Sequence, residues 1–212
     1  PEGTIDFCSF LGGSGPLDGI LDLAVDAEAN VYLTGYTSSS DFPTVNPFQS
    51  AYLGGMETFV AKLNSNGVSL VFATFLGGTG DDVGRGIVVD QDGGVIVCGD
   101  TTSDGFPIIN PLYSSRSGGR DLFLSKLDSA GSTLLRSTYL GGQGDELASI
   151  SPDGAGNIWL AGVTSSRDFP LASAFQPVFG GGRWDGFLAS LKCDGFALTF
   201  STFLGGSGQD QL

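Results

Sequence analysis

The chain has 212 residues with 9 basic and 23 acidic side chains and no histidine, a formal charge of −14. Such a surface repels nucleic-acid phosphates and anionic lipids, which excludes nucleic acid as a partner, and no apolar run approaches the ~18 residues that membrane insertion needs. Without imidazole there is no Ser-His-Asp or Cys-His site and no histidine-based metal triad.

The first recognisable element is a phrase, FLGGSG at Phe10, which returns as FLGGTG at Phe75, YLGGQG at Tyr139 and FLGGSG at Phe203, at intervals of 65, 64 and 64 residues. A fixed period of this length marks one structural unit used in tandem. In chain order each unit offers four strands. The first is the apolar stretch Ile20–Val25, Gly86–Val89 or Leu147–Ile150, ending at Asp26, Asp90 or Asp153. An Asp/Gly/Asn turn leads to the second, Val31–Gly35, Val95–Gly99 or Ile158–Gly162, as a hairpin. About 20 residues follow, Thr37 to Met56 in the first unit, which is long for a structureless loop. Each such loop has an apolar set of its own: Phe42, Val45, Phe48 and Tyr52, then Phe106, Ile108, Leu112 and Tyr113, then Phe169, Leu171, Phe175 and Phe179. The third strand centres on Phe59, Phe123 or Phe187, and a turn at Asn66-Gly67, Ala130-Gly131 or Asp194-Gly195 hands over to the fourth, which runs into the LGG phrase. Val, Ile, Thr, Phe and Tyr dominate, and no sustained 3.6-residue pattern appears, so the chain reads as all-β.

Four-stranded antiparallel sheets in tandem are the signature of a β-propeller, whose blades pack on neighbours through both faces. The motifs STFLGG (Ser201–Gly206), GIVVD (Gly86–Asp90), NVYLTGYT (Asn30–Thr37), DFP (Asp41–Pro43) and ETFVAKL (Glu57–Leu63) resemble the bacterial seven-bladed β-propeller repeat family, SBBP. The resemblance covers nearly the whole chain. It implies the propeller fold and an exported bacterial protein, extracellular, periplasmic or at the cell surface, and brings no established chemistry.

The expected organisation is a closing strand of a preceding blade at 1–13, blades at 14–77, 78–141 and 142–206, and the opening of a further blade at 207–212. Three blades do not close a ring of 4 to 8. An uncovered blade face of roughly 500 Å² would forfeit about 12 kcal/mol, comparable with the whole stability of a domain. The expected partners are therefore further repeats of the same chain or neighbouring subunits, with surface proteins or glycans beyond them.

After each LGG phrase come acids: Asp18, then Asp81-Asp82, Asp145-Glu146 and Asp210. Placed radially, they would form an acidic rim, and Asp81, Asp82, Asp145 and Glu146 are the candidate ligands for calcium, which takes carboxylate and carbonyl oxygens; no other cofactor is expected. The competing reading is that they satisfy loop amides and keep the surface soluble. Lys62 and Lys126 recur in the third strand, with Ser190 at the corresponding place; buried lysines need acids, from Glu57, Asp121 and Asp185 or from Asp26, Asp90 and Asp153. Trp184 follows Arg183 where the other units lack a residue, a candidate sugar-stacking pair, against a ring folded onto its neighbouring loop. Cys8, Cys98 and Cys193 replace small residues at three different repeat positions and read as packed thiols, with one disulfide as the alternative. The functional reading is a non-catalytic scaffold and interaction module. The alternatives are a carbohydrate-binding propeller assembled from several chains, a subunit of a surface filament or multiprotein complex, and a carboxylate-dependent glycoside-active enzyme.

Overall fold

The structure, a computed structural model, describes residues 7–194 and 196–210. All regular elements there are strands: β1 (Asp18–Val25), β2 (Val31–Thr37), β3 (Glu57–Leu63), β4 (Leu70–Leu76), β5 (Asp82–Val89), β6 (Val95–Thr101), β7 (Asp121–Leu127), β8 (Leu134–Leu140), β9 (Glu146–Pro152), β10 (Asn157–Thr164), β11 (Asp185–Lys192) and β12 (Leu198–Leu204). They form three antiparallel sheets of four, β1–β4, β5–β8 and β9–β12, each in simple sequence order. The three sheets do not close on one another. The strands run longer than the apolar runs suggest because each first strand begins at the acid after LGG, at Asp18, Asp82 or Glu146.

The sheets stack face to face. Val95, Val97 and Leu127 of the second sheet bury themselves with Tyr32, Val60 and Phe72 of the first. Ile158, Leu160 and Leu191 of the third do so with Ile96, Leu124 and Leu140 of the second. Alternation of side chains across a strand means that each sheet supplies one apolar set forward and another backward, so nearly continuous apolar strands are required. Phe59, Phe123 and Phe187 occupy equivalent buried places on β3, β7 and β11.

The first strands differ in one detail. Register shifts make Leu21 in β1 and Arg85 in β5 extra residues, whereas β9 pairs with β10 without a shift. These are β-bulges, which re-aim a side chain. The third unit lacks that residue and holds one more in its long loop, at Trp184, so the overall period survives.

The long loops cover the outer sheet edges. Val45 and Ala73 exchange backbone hydrogen bonds of 3.0 and 2.8 Å, and Phe75 N–H donates to Gln49 C=O at 3.1 Å. Ile109 with Ser137 and Ala172 with Ser201 repeat this pairing. An outer strand with unpaired amides is an aggregation template, and a loop laid along it removes that hazard. The apolar set of each loop is divided: Phe42, Phe106 and Phe169 are buried against the sheets, but Phe175 is 84 % exposed.

Of the closing strand expected at 1–13, residues 7–13 form no strand, and residues 1–6 lie outside the described ones. A strand requires a laterally paired neighbour, and none stands beside this segment among the described residues. The LGG of 11–13 is nevertheless seated as elsewhere, Gly13 N–H donating to Asp18 Oδ2 at 2.9 Å, as Gly78 N–H does to Asp82 Oδ2 at 2.7 Å. Residues 207–210 form no strand either, and 211–212 lie outside the described residues.

Candidate functional site

The most elaborate polar chemistry lies at the junctions between sheets, where the LGG phrase turns one fourth strand into the next first strand. At the first full junction, Asp82 accepts hydrogen bonds from Gly78 N–H, from Ser103 Oγ at 2.8 Å and from Thr101 Oγ1. Asp18 takes Gly13 N–H, Thr37 Oγ1 and Ser39 Oγ in the same way. Glu146 takes Thr164 Oγ1 at 2.8 Å and Ser166 Oγ. The carboxylate thus fastens the LGG turn to a Thr-x-Ser pair at the end of the second strand. That pair, Thr37/Ser39, Thr101/Ser103 and Thr164/Ser166, escaped the motif reading, although its recurrence is plain in the sequence. The DFP acid adds a second tie: Asp41 accepts Ser14 N–H at 2.8 Å, and Asp168 accepts Gln143 N–H at 2.9 Å. In the middle unit Gly105 stands in that place, and Asp104 instead pairs with Arg116 at 2.9 Å.

A second acid approaches each junction from the start of the third strand. A Cβ added to Gly77 would meet both Asp82 and Glu57, one on Gly141 both Glu146 and Asp121, and one on Gly205 both Asp185 and Asp210. These are places where two carboxylates crowd one backbone, so a Cβ fits only if a carboxylate shifts. Glu57 accepts Leu53 N–H at 2.7 Å and Asp121 accepts Ser117 N–H at 2.8 Å, while Glu57 Oε2, Glu146 Oε2 and Asp185 Oδ1 are buried without a hydrogen-bond partner. Burial pushes the Glu57 carboxyl up to about 7, with the Asp82 charge adding, against the Leu53 amide. Burial likewise pushes Glu146 up to about 7 against the hydroxyls of Ser166 and Thr164, and raises Asp82 and Asp121. Desolvation disfavours the charged form of an acid, and a neighbouring carboxylate does the same.

Among the calcium candidates, Asp82 and Glu146 are fully buried, so they do not form an exposed rim. Asp81 and Asp145 are half-buried and serve other loops, accepting Met56 N–H and Arg120 N–H, both at 3.0 Å. Among the described residues no three His, Cys, Asp or Glu side chains gather as a metal set. Arg183 is exposed and Trp184 half-buried, with the guanidinium carbon 5.8 Å from the ring centroid. Lys62 pairs with Asp26 at 3.5 Å and lies over the Tyr32 ring, and Lys126 pairs with Asp90 at 2.5 Å. The partners are therefore the acids that end the first strands, not Glu57 or Asp121. All three cysteines are free thiols, Cys98 buried, and burial pushes that thiol up to about 12.

Sequence reasoning also missed a cluster around the fully buried Asp100, whose two oxygens meet Arg85 Nε and Arg120 Nη1, the latter at 2.7 Å. The bulge supplies Arg85, and only a strand-by-strand register would have exposed it. Corresponding positions hold Tyr36 and Val163, so the cluster belongs to the middle unit alone.

No curated protein matches this chain. Residues 71–107 match the family model described as the beta-propeller repeat, SBBP. The matched segment runs from β4 through the LGG junction, the first hairpin and the DGFP motif, which is the part of the unit that holds one blade-like sheet to the next. The match is to that one segment, and the three four-stranded antiparallel sheets are blade-like, as in part of a propeller.

Proposed function

We propose that the chain is a non-catalytic propeller-repeat module for scaffolding and for protein or glycan interaction, acting outside the cell or at its surface. The observation that carries this reading is the division of labour within each unit. The junction carboxylates are spent on the same loop amides and hydroxyls from sheet to sheet, whereas the loop laid on the outer edge changes its exposed tip. Phe48, Leu112 and Phe175 stand at one repeat position and pass from half-buried to 84 % exposed. A constant base with a varied rim is what a recognition surface on a rigid scaffold requires. The acidic composition and the family resemblance support the exported setting.

A glycan array and a panel of exported surface proteins test the reading, with Phe175→Ser and Trp184→Ala as rim variants. Binding that these variants lose supports it. A glycoside-active enzyme would also use paired carboxyls with one raised in pKa; Glu146 and Asp121 stand together in a buried place, and burial raises both. Turnover of aryl glycosides that Glu146→Gln abolishes would replace the module reading by the enzyme.

A further inference from the structure

Three charged residues of the middle unit stand where the other units hold uncharged ones. Arg85 is the extra residue of the β5 bulge, where β1 has Leu21 and β9 has none. Asp100 takes the place of Tyr36 and Val163, and Arg120 that of Met56 and Trp184. The fold does not need these charges, since two sheets of the same design form without them. A buried ion group is also a weak source of stability, because desolvation offsets most of the attraction. Yet the three are brought together from β5, β6 and the end of the long loop.

Two guanidiniums meet one carboxylate there. Asp100 is fully buried, with one oxygen taken by Arg85 Nε and the other by Arg120 Nη1 at 2.7 Å. Elsewhere Lys62, Arg116 and Lys126 each have a single acid of their own. The acids on neighbouring elements, Asp22 of β1 and Asp145 of the following junction, accept the Ile87 and Arg120 backbone N–H at 2.9 and 3.0 Å. Neither forms an ion pair with Arg85 or Arg120. One positive charge is thus left over, in a chain of formal charge −14. A guanidinium carries five N–H donors, and among the described residues each of these two spends its side chain on Asp100 alone. Both side chains are 32 % exposed, and none of their remaining nitrogens is buried without a partner. The spare donors of both forks therefore reach solvent beside one another.

We propose that Arg85 and Arg120 form a binding site for one singly charged carboxylate, that of an acidic sugar or of a small organic acid. Asp100 fixes the two forks relative to each other and leaves their outer N–H groups to a second carboxylate. Such a fork matches a planar carboxylate through two parallel N–H···O bonds. A doubly charged phosphate or an extended polyanion is disfavoured, because the surplus is a single charge and the chain around it is strongly acidic. The site uses neither Phe175 nor Trp184, so it goes beyond the module reading and stands or falls independently of it.

Titration calorimetry and the arginine side-chain Nε–H resonances of the 212-residue chain at low salt test this, with glucuronate, acetate, glucose and inorganic phosphate as probes. Glucuronate and acetate are expected to bind and to shift the Arg85 and Arg120 resonances, and glucose is not. Tighter binding of glucuronate than of acetate assigns the acidic sugar, and equal binding the small organic acid. Arg85→Gln or Arg120→Gln should weaken binding about tenfold, the loss of one charge-assisted hydrogen bond. Lys192→Gln removes the same charge at an exposed place and should leave binding unchanged. Asp100→Asn keeps the shape and frees a second positive charge, so it should strengthen binding several-fold, whereas an ion group with no ligand would show only a change in stability. Circular dichroism checks folding, and the wild-type resonances decide the matter where a variant does not fold. A wild type that binds neither carboxylate overturns the proposal, as do shifts that spare Arg85 and Arg120. So does phosphate bound more tightly than acetate, or binding that Arg120→Gln retains in full.

Discussion

Phe106 lies on Phe123 with ring centroids 4.5 Å apart and planes 29° from parallel, and both rings are buried. The same contact joins Phe42 to Phe59 at 4.7 Å and Phe169 to Phe187 at 4.4 Å. The phenylalanine of each DFP or DGFP motif thereby anchors the long edge loop to the third strand of its sheet, and the loop is ordered by its own sequence rather than by length.

Truncating Phe123 to Ala should cost about 3–5 kcal/mol, as for a buried aromatic leaving a cavity. Phe106→Ala removes the same ring pair from the loop side and should fall in that range. Urea unfolding measures both. A Phe106→Ala midpoint equal to wild type would mean that the loop is held by its backbone pairing alone.

Asp82→Ala leaves Gly78 N–H, Thr101 Oγ1 and Ser103 Oγ without their acceptor inside the protein. Each buried polar group left unsatisfied costs about 1–3 kcal/mol. Among the described residues the Asp210 carboxylate accepts Gly206 N–H alone, at an exposed place, so Asp210→Ala should be nearly neutral. The contrast between the two, read as melting temperatures, tests whether burial makes the tether matter.

Calcium should leave the melting temperature unchanged, and so should a chelator, because the oxygens of Asp82 and the Oε1 of Glu146 are occupied by hydroxyl and amide donors. A ligand that binds only the folded state would raise it by mass action. A calcium-dependent rise that Asp81→Asn or Asp145→Asn removes would assign the ion to the junctions.

Stability should pass through a maximum in mildly acidic solution. Glu57 and Glu146 sit at about 7 when folded, against an ordinary 4.5. The folded state therefore holds protons that the unfolded chain releases, and this contribution, full below 4.5, is lost as pH rises through 7. Asp26 behaves in the opposite sense: burial alone would raise it, but Asn30, Tyr32 and Lys62 hold it at about 2 instead of 3.8. Asp153 is held at about 2 by the Asn157 side chain and the Ala155 and Asn157 amides. Their contribution is present above 3.8 and lost as pH falls through 2. In a melting series across pH, Glu57→Gln/Glu146→Gln should flatten the upper limb alone and Asp26→Asn the lower limb alone.

Much of this was legible in the chain. The LGG phrases, the apolar runs and the turn residues are local signals, and local preference decides where strands and turns form when every unit repeats the same choice. Lys62 and Lys126 also announced that acids must stand near them, since a buried ammonium needs a partner. Which acids was not legible. Asp26 and Glu57 are equally available in sequence, and the pairing of β2 with β3 brings the end of β1 to Lys62.

The period, the strand set and the all-β class follow from the sequence by itself, because they rest on neighbours within a strand or turn. Only the tertiary structure decided that Asp82 and Glu146 are buried fasteners, that Arg85 reaches Asp100 from a bulge, and that Val45 and Gln49 cover the edge of β4. Each of these depends on desolvation or on a partner some 15 to 28 residues away, quantities that exist only once the sheets have formed and stacked.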